Sequence, residues 1–398
     1  MSKLQVVGRR RIGLLLLLLT LPLAARTPST TLAAPAVPAT PSTSSAPAAP
    51  AAAAAAVPSD DPSALPAEMM PRASKSLLLD LVKTANGYFA VGERGHVLQS
   101  ADGQAWTQLK TPTRSTLTAI AAVDGQLWAA GHDGVIIHSA DAGKTWQAQR
   151  RDPFMLAAGQ LPADHDPLQG APILDLYFSD VSNGIAVGAY SLMLVTHDGG
   201  ATWTPQQAIV GASAPAPAAA PMQGDIFSQE DLQLDEESDP HLNAVTSAGN
   251  GNLVIVGERG TFLRSADGGQ SWSKLGFPYK GSMFGVLSLG EGRLLAYGLR
   301  GNVYESTDLG SNWAKVQTQA SVSLIGGSAL AGGGAVLAGA NGTVLARAAA
   351  GAPFTIASYK NAAGEMPALS GIVATADGSY VLTSDKGVDL YQARTESK

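Results

Sequence analysis

The sequence predicts an all-β fold, a seven-bladed β-propeller of four-stranded blades, and three observations predict it. Short apolar runs recur in seven copies at a base period near 40 residues. A Gly-x-x-Gly hairpin or its remnant punctuates every copy, as in YFAVGERGHVLQS ending at Ser100 and VIVGERGTFLRS ending at Ser265. The segments are valine-rich and broken by glycine, whereas helical repeats of this length would need apolar residues every three to four positions.

Composition bounds what such a ring can do. With 45% hydrophobic residues in 398, a large core is available. Lys+Arg 26 against Asp+Glu 32 leaves a net charge of −6, so no nucleic-acid partner is expected. The absence of cysteine excludes a disulfide scaffold, a thiolate metal site, a cysteine nucleophile and a lipoprotein acyl anchor. Gly 44 and Pro 24 point to many turns and to a low-complexity tract.

The elements follow in chain order. Lys3 and Arg9 to Arg11 precede the apolar stretch Ile12 to Leu23, and small residues follow, which reads as a signal peptide over 1–26. Interrupted by Pro22, the stretch falls short of the roughly 20 residues that span a bilayer. Left uncleaved, it would tether the chain to the membrane. Residues 27–64 are nearly all Ala, Pro, Ser and Thr and read as a disordered linker. The propeller then occupies 65–398. An exported or periplasmic location is expected, with the protein monomeric and peripheral to the membrane.

Within the propeller, the first glycine of the hairpin falls at 92, 131, 188, 257, 298 and 339, with Ser384 in the degenerate seventh copy. The two long intervals hold insertions at 151–172 and 206–240. A second signature follows each closing Ser or Thr, as in Ser139-Ala-Asp141-Ala-Gly143-Lys-Thr-Trp146. It recurs with Asp198 and Trp203, Asp267 and Trp272, and Asp308 and Trp313, and one residue shorter with Asp102 and Trp106. Blade six has lost it, with Ala349 and Phe354 in place of Asp and Trp. A short Asp side chain accepts backbone N–H groups across a tight turn, and Trp packs the returning strand, so these residues are read as structural. Blade seven lacks its own outer strand, and Leu65 to Arg72 is expected to supply it and close the ring.

These aspartate turns resemble the Asp-box, or bacterial neuraminidase, repeat. With seven blades and the Gly-Glu-Arg-Gly hairpins at Gly92 to Gly95 and Gly257 to Gly260, residues Leu65 to Gln392 resemble the photosystem II stability and assembly factor-like propellers. The resemblance implies a non-enzymatic scaffold without cofactor, holding a membrane-protein complex or its acidic or C-terminal segment. In a non-photosynthetic bacterium it implies an envelope transporter complex as that partner.

The hairpins joining second and third strands place Arg94, Asp133, Tyr190, Arg259, Arg300, Asn341 and Lys386 at corresponding positions on one face. The family's basic patch carries over to Arg94, Arg259 and Arg300, with Lys386 and Tyr190 as weaker additions, because a guanidinium fork suits carboxylates. The structural alternative is a set of solvated arginines paired with Glu93 and Glu258. Both insertions should rise on this face. The second carries Asp225, Glu230, Asp231, Asp235, Glu236, Glu237 and Asp239, and reads as a solvated loop or as a flap over the arginines. No metal site is expected: Asp164-His165-Asp166 cannot easily face one ion, and no H-E-x-x-H spacing occurs. The competing function is a sialidase-like glycoside hydrolase or a glycan-binding propeller, which hydrolysis of a fluorogenic sialoside would reveal. Sialidases use three arginines, but their Arg-Ile-Pro motif is absent here.

Overall fold

In the computed structural model the described residues are 60–152, 168–207 and 239–392. The signal peptide, the linker through residue 59, Asp164 to Asp166 and the acidic stretch 225–237 lie outside them. Seven antiparallel sheets form from strands consecutive in sequence, with no α-helix among the described residues. Blade one holds β1 (Leu78–Thr84), β2 (Gly87–Gly92), β3 (Val97–Ser100) and β4 (Thr107–Leu109). Blade two holds β5 (Leu117–Val123), β6 (Gln126–Gly131), β7 (Ile136–Ser139) and β8 (Gln147–Arg150). Blade three holds β9 (Ile173–Phe178), β10 (Gly184–Gly188), β11 (Met193–Thr196) and β12 (Thr204–Pro205). Blade four holds β13 (Leu242–Gly249), β14 (Asn252–Gly257), β15 (Phe262–Ser265) and β16 (Ser273–Lys274). Blade five holds β17 (Met283–Gly290), β18 (Arg293–Gly298), β19 (Val303–Ser306) and β20 (Ala314–Val316). Blade six holds β21 (Leu324–Leu330), β22 (Gly334–Gly339), β23 (Thr343–Arg347) and β24 (Thr355–Ser358). Blade seven holds β25 (Leu369–Ala374), β26 (Tyr380–Ser384) and β27 (Gly387–Tyr391).

The second strand of each blade is buried on both faces, which is why it reads as an unbroken apolar run. Each neighbouring pair of blades encloses one apolar cluster, and the seven clusters together form the core. The glycine of an aspartate turn serves this packing. A Cβ on Gly143 of blade two would lie 2.4 Å from the Phe89 ring of blade one.

The inner strands add polar latches that sequence reasoning missed. Each begins with a register shift that bulges one residue toward the axis. At or beside the bulge in five of these strands, and at Ser328 further along the sixth blade's, a side chain crosses to the next blade. Asp80 Oδ2 accepts the Ile120 N–H at 2.8 Å, and Thr118 Oγ1 donates to the Ile173 carbonyl at 2.5 Å. Asp175 Oδ2 accepts the Val245 N–H at 2.8 Å, and Asn243 Nδ2 donates to the Met283 carbonyl at 2.9 Å. Ser328 Oγ donates to Ile372, and Ser370 Oγ donates to Leu78 across the seam between blades seven and one. Between blades five and six the Tyr297 ring fills the space beside Gly285 and Gly327 instead.

Ring closure differs from the sequence expectation. Residues Leu65 to Arg72 form no strand, and the seventh sheet has three. The segment instead runs along blade one: the Ala67 N–H donates to Thr111, Gln108 bonds both Glu68 and Met70, and Glu68 pairs with Arg114 at 3.0 Å. Pro66 and Pro71 remove two of the donors a paired strand would need. Closure comes from apolar packing, in which Ala73, Leu78, Leu81 and Tyr88 meet Val381 and Val388.

Candidate functional site

The hairpin between second and third strands begins at a glycine pressed against the inner strand. A Cβ on Gly92 would sit 2.1 Å from the Leu77 carbonyl. The chain then turns through Glu93, Arg94 and Gly95, and the His96 N–H closes the turn on the Glu93 carbonyl at 3.0 Å. Gly95 has φ +70 and lies so close to Thr113 that a Cβ would be 2.0 Å from its carbonyl oxygen. Six blades repeat this turn, and their central residues Arg94, Asp133, Tyr190, Arg259, Arg300 and Asn341 all have φ between 52 and 58.

That left-handed conformation is tolerated by Asn and Asp but costs other L-residues about 1 kcal/mol. Four of the six positions therefore carry Arg or Tyr against local backbone preference. Ala142 and Leu309 share this conformation in the aspartate turns, so what sets the four apart is the chemistry of the side chains they present on one face. Arg94, Arg300 and Tyr190 are exposed, Tyr190 to 55%, while Arg259 is half-buried. Arg94 Nη1 lies 3.7 Å from Met70 Sδ, and the Tyr190 ring meets His241 edge-on at 5.1 Å. The neighbouring glutamates turn to the inner strands: Glu93 accepts the Leu77 N–H, and Glu258 accepts the His241 N–H. Asp133 accepts the Ser115 hydroxyl at 2.6 Å.

Lys386 does not belong to this set. The seventh hairpin joins Ser384 to Gly387 through two residues, Asp385 and Lys386, and the positive φ falls on Gly387. The shorter loop moves Lys386 off the corresponding position, and Glu365 pairs with it at 3.8 Å. The described ends of both insertions do lie on the hairpin face. Arg150 bonds Gly134 and Asp152 receives the Gly170 N–H, while Pro240 accepts the Ser191 N–H.

The aspartate turns lie on the opposite face, and those of blades three, four and five are stitched to the first hairpin of their own blade, Gly199 to Ser182, Gly268 to Gly251 and Leu309 to Gly292. Asp141, Asp198, Asp267 and Asp308 each accept a closing-residue hydroxyl, the backbone N–H four residues on and that residue's side chain. Asp102 accepts the Gln104 and Ala105 N–H groups in the shortened turn. Trp106, Trp146 and Trp272 donate their indole N–H to the turn glycine, while those of Trp203 and Trp313 are buried without a partner among the described residues. These bonds hold Asp141, Asp198 and Asp267 at about 2 and lower Asp102 and Asp308.

A pH dependence follows. A carboxyl lowered on folding stabilises the fold above its unfolded value of 3.8 and loses that contribution as pH falls through about 2. The turns' share of the stability is expected to hold near neutrality and to fall below a pH of about 4, and Asp267→Asn should flatten that acid limb of the melting temperature. An identical acid slope in the variant would show that the turn contributes nothing to it.

The axis carries a channel of 360 Å³ lined by Asp80, Asp175, Tyr297, Phe284 and Ile325 among others. Burial raises Asp80 to about 6 and Asp175 to about 8, the charge of Asp80 adding to the latter. Both side chains are committed to the latches, where their oxygens accept backbone N–H groups. No group of metal-binding side chains occurs among the described residues.

The family model for photosynthesis system II assembly factor YCF48 matches residues 160–393, more than half of the chain. The chain belongs to that family. A second model, the DUF6242 beta propeller domain, matches 60–165. Solved structures share the family's fold at low identity. A YCF48 bound to a D1 peptide is 16% identical, with 82% of this chain and 94% of that chain covered and a TM-score of 0.56. YCF48 from Cyanidioschyzon merolae is also 16% identical, covering 82% and 98% at 0.55. The WD40 β-propeller domain of Doa1 is 10% identical, covering 81% and 94% at 0.58. At these identities the likeness establishes architecture alone. No curated protein matches the sequence.

Proposed function

We propose that this YCF48-family propeller is an exported, non-enzymatic assembly or accessory scaffold. It binds an acidic or C-terminal segment of a membrane-protein complex through Arg94, Arg259 and Arg300, with Tyr190 beside them. The observation that carries this reading is the presence of three Arg and one Tyr at equivalent left-handed turns on one face. Guanidinium groups raised this way offer paired donors to a carboxylate, and a tyrosine offers rigid contact area. Family membership and a YCF48 relative bound to a D1 peptide support a peptide ligand. A monomer docking from the exported side suits the sequence signal and linker, and a transporter complex is the proposed partner outside photosynthetic hosts.

The test is fluorescence anisotropy with a labelled acidic peptide ending in a free carboxylate, titrated with the full chain. The variant combining Arg94→Ala, Arg259→Ala and Arg300→Ala should bind roughly 150-fold more weakly, at about 1 kcal/mol per lost charged contact, with a shallower salt dependence. Its melting temperature should not fall. Equal affinity of variant and parent would remove the basic face from consideration.

A further inference from the structure

We propose that the outer edge of β27 is a separate docking site that takes an extended segment of a partner protein as the fourth strand of blade seven. In the other six sheets a strand of two to four residues pairs with the outer edge of the third strand. Among the described residues none pairs with β27. The ladder to β26 matches Ser384 with Gly387, Leu382 with Asp389 and Tyr380 with Tyr391. In a two-residue hairpin those are the hydrogen-bonded pairs, so Val388 and Leu390 turn their N–H and C=O groups outward.

The surroundings select the occupant. The turn Ala73–Lys75 abuts only the start of β27, where the Ser74 carbonyl would lie 2.1 Å from a Cβ on Gly387. Alongside it opens a groove of 620 Å³ lined by Lys75, Gln104, Trp106, Asp389, Leu390 and Gln392. Trp106 also lines an adjoining groove of 420 Å³, with Leu98 and the exposed Met69 and Met70. Outward backbone groups call for an extended polypeptide; Trp106 with Leu98, Met69 and Met70 receives its apolar side chains on one side, and Lys75, Gln104 and Gln392 suit polar side chains at the alternate positions. Asp389 Oδ1 accepts the Leu390 N–H at 3.0 Å. This cap blunts pairing between two copies of the same edge and leaves the donor to a strand that can displace it. The outward groups of β27 that carry the proposal do not involve the arginines of the hairpin face, although Met70 beside the adjoining groove touches Arg94.

The probe is a short synthetic peptide alternating valine and threonine, lysine-flanked for solubility, added to the isotope-labelled full chain. Binding should slow amide exchange at Leu390 by roughly tenfold or more. Leu390→Pro removes the outward donor without touching the ladder to β26, a place where proline is tolerated. It should weaken the probe at least about tenfold, and Gln392→Pro, at an exposed position one step further along, should do the same if the first variant melts early. An exchange rate at Leu390 unchanged by the probe, or parental affinity in a folded proline variant, would overturn the proposal. So would strong protection of the Leu390 amide without peptide that survives Asp389→Ala, which removes the side-chain cap, since this chain or a second copy would then already fill the edge.

Discussion

Glu305→Ala is expected to lower the melting temperature more than any other single charge removal in the ring. Glu305 on β19 receives Arg347 Nη1 at 2.7 Å and Arg293 Nη2 at 2.5 Å. The Arg347 side chain is only 1% exposed and lies over the Phe354 ring at 5.1 Å. Burial alone would raise the Glu305 carboxyl, but the bonds and charges of the two arginines bring it below its usual value. Deleting the carboxylate strands a buried guanidinium whose Nε and Nη2 already have no partner among the described residues. The expected cost is about 3–5 kcal/mol, or roughly 5–10 °C at about 2 °C per kcal/mol for a domain of this size. Arg347→Met removes the buried charge itself and leaves Glu305 with Arg293, so it should cost less. Thermal melts of the two variants decide the matter, and the reverse order would show that the pair is not what holds this corner together.

Trp128→Ala should rival it. Trp128 on β6 stands outside the aspartate turns that hold the other five tryptophans, and it is fully buried. Its ring stacks on Phe178 of the next blade, with centroids 3.8 Å apart, and on His138 at 4.7 Å. The indole N–H donates to the Gly199 carbonyl at 3.1 Å, which ties blade two to the aspartate turn of blade three. Loss of a large buried aromatic costs about 3–5 kcal/mol through transfer and cavity terms. Because Gln149 also donates to Gly199 at 2.8 Å, the carbonyl stays satisfied and the penalty is chiefly one of packing. Trp128→Phe should recover more than half of the loss. A denaturant midpoint for Trp128→Ala close to that of the parent would mean that the blade interface collapses around the gap.

The repeating parts of this architecture are legible because they are local. A glycine with positive φ, an aspartate accepting N–H groups within four residues and a strand buried on both faces all leave short-range marks. Those marks give the number of blades, the hairpins bearing Arg94, Arg259 and Arg300, and the turns bearing Asp141, Asp198, Asp267 and Asp308. The degenerate seventh copy was the weak point. There the hairpin is shorter, so Lys386 lacks the spacing that sets the corresponding position in the other six blades.

What sequence alone determined is the content of each blade and the face on which each turn emerges, since both follow from contacts within about 40 residues. Tertiary structure decided how the blades join. Asp80 meets Ile120, Asp175 meets Val245, and Arg347 meets Glu305 only once strands far apart in the chain lie side by side. The same holds for the seam, where apolar packing between blades seven and one closes the ring while Leu65 to Arg72 lies along blade one. A side chain's periodicity records which face of its own strand it occupies; it carries no record of the distant backbone group it will find there.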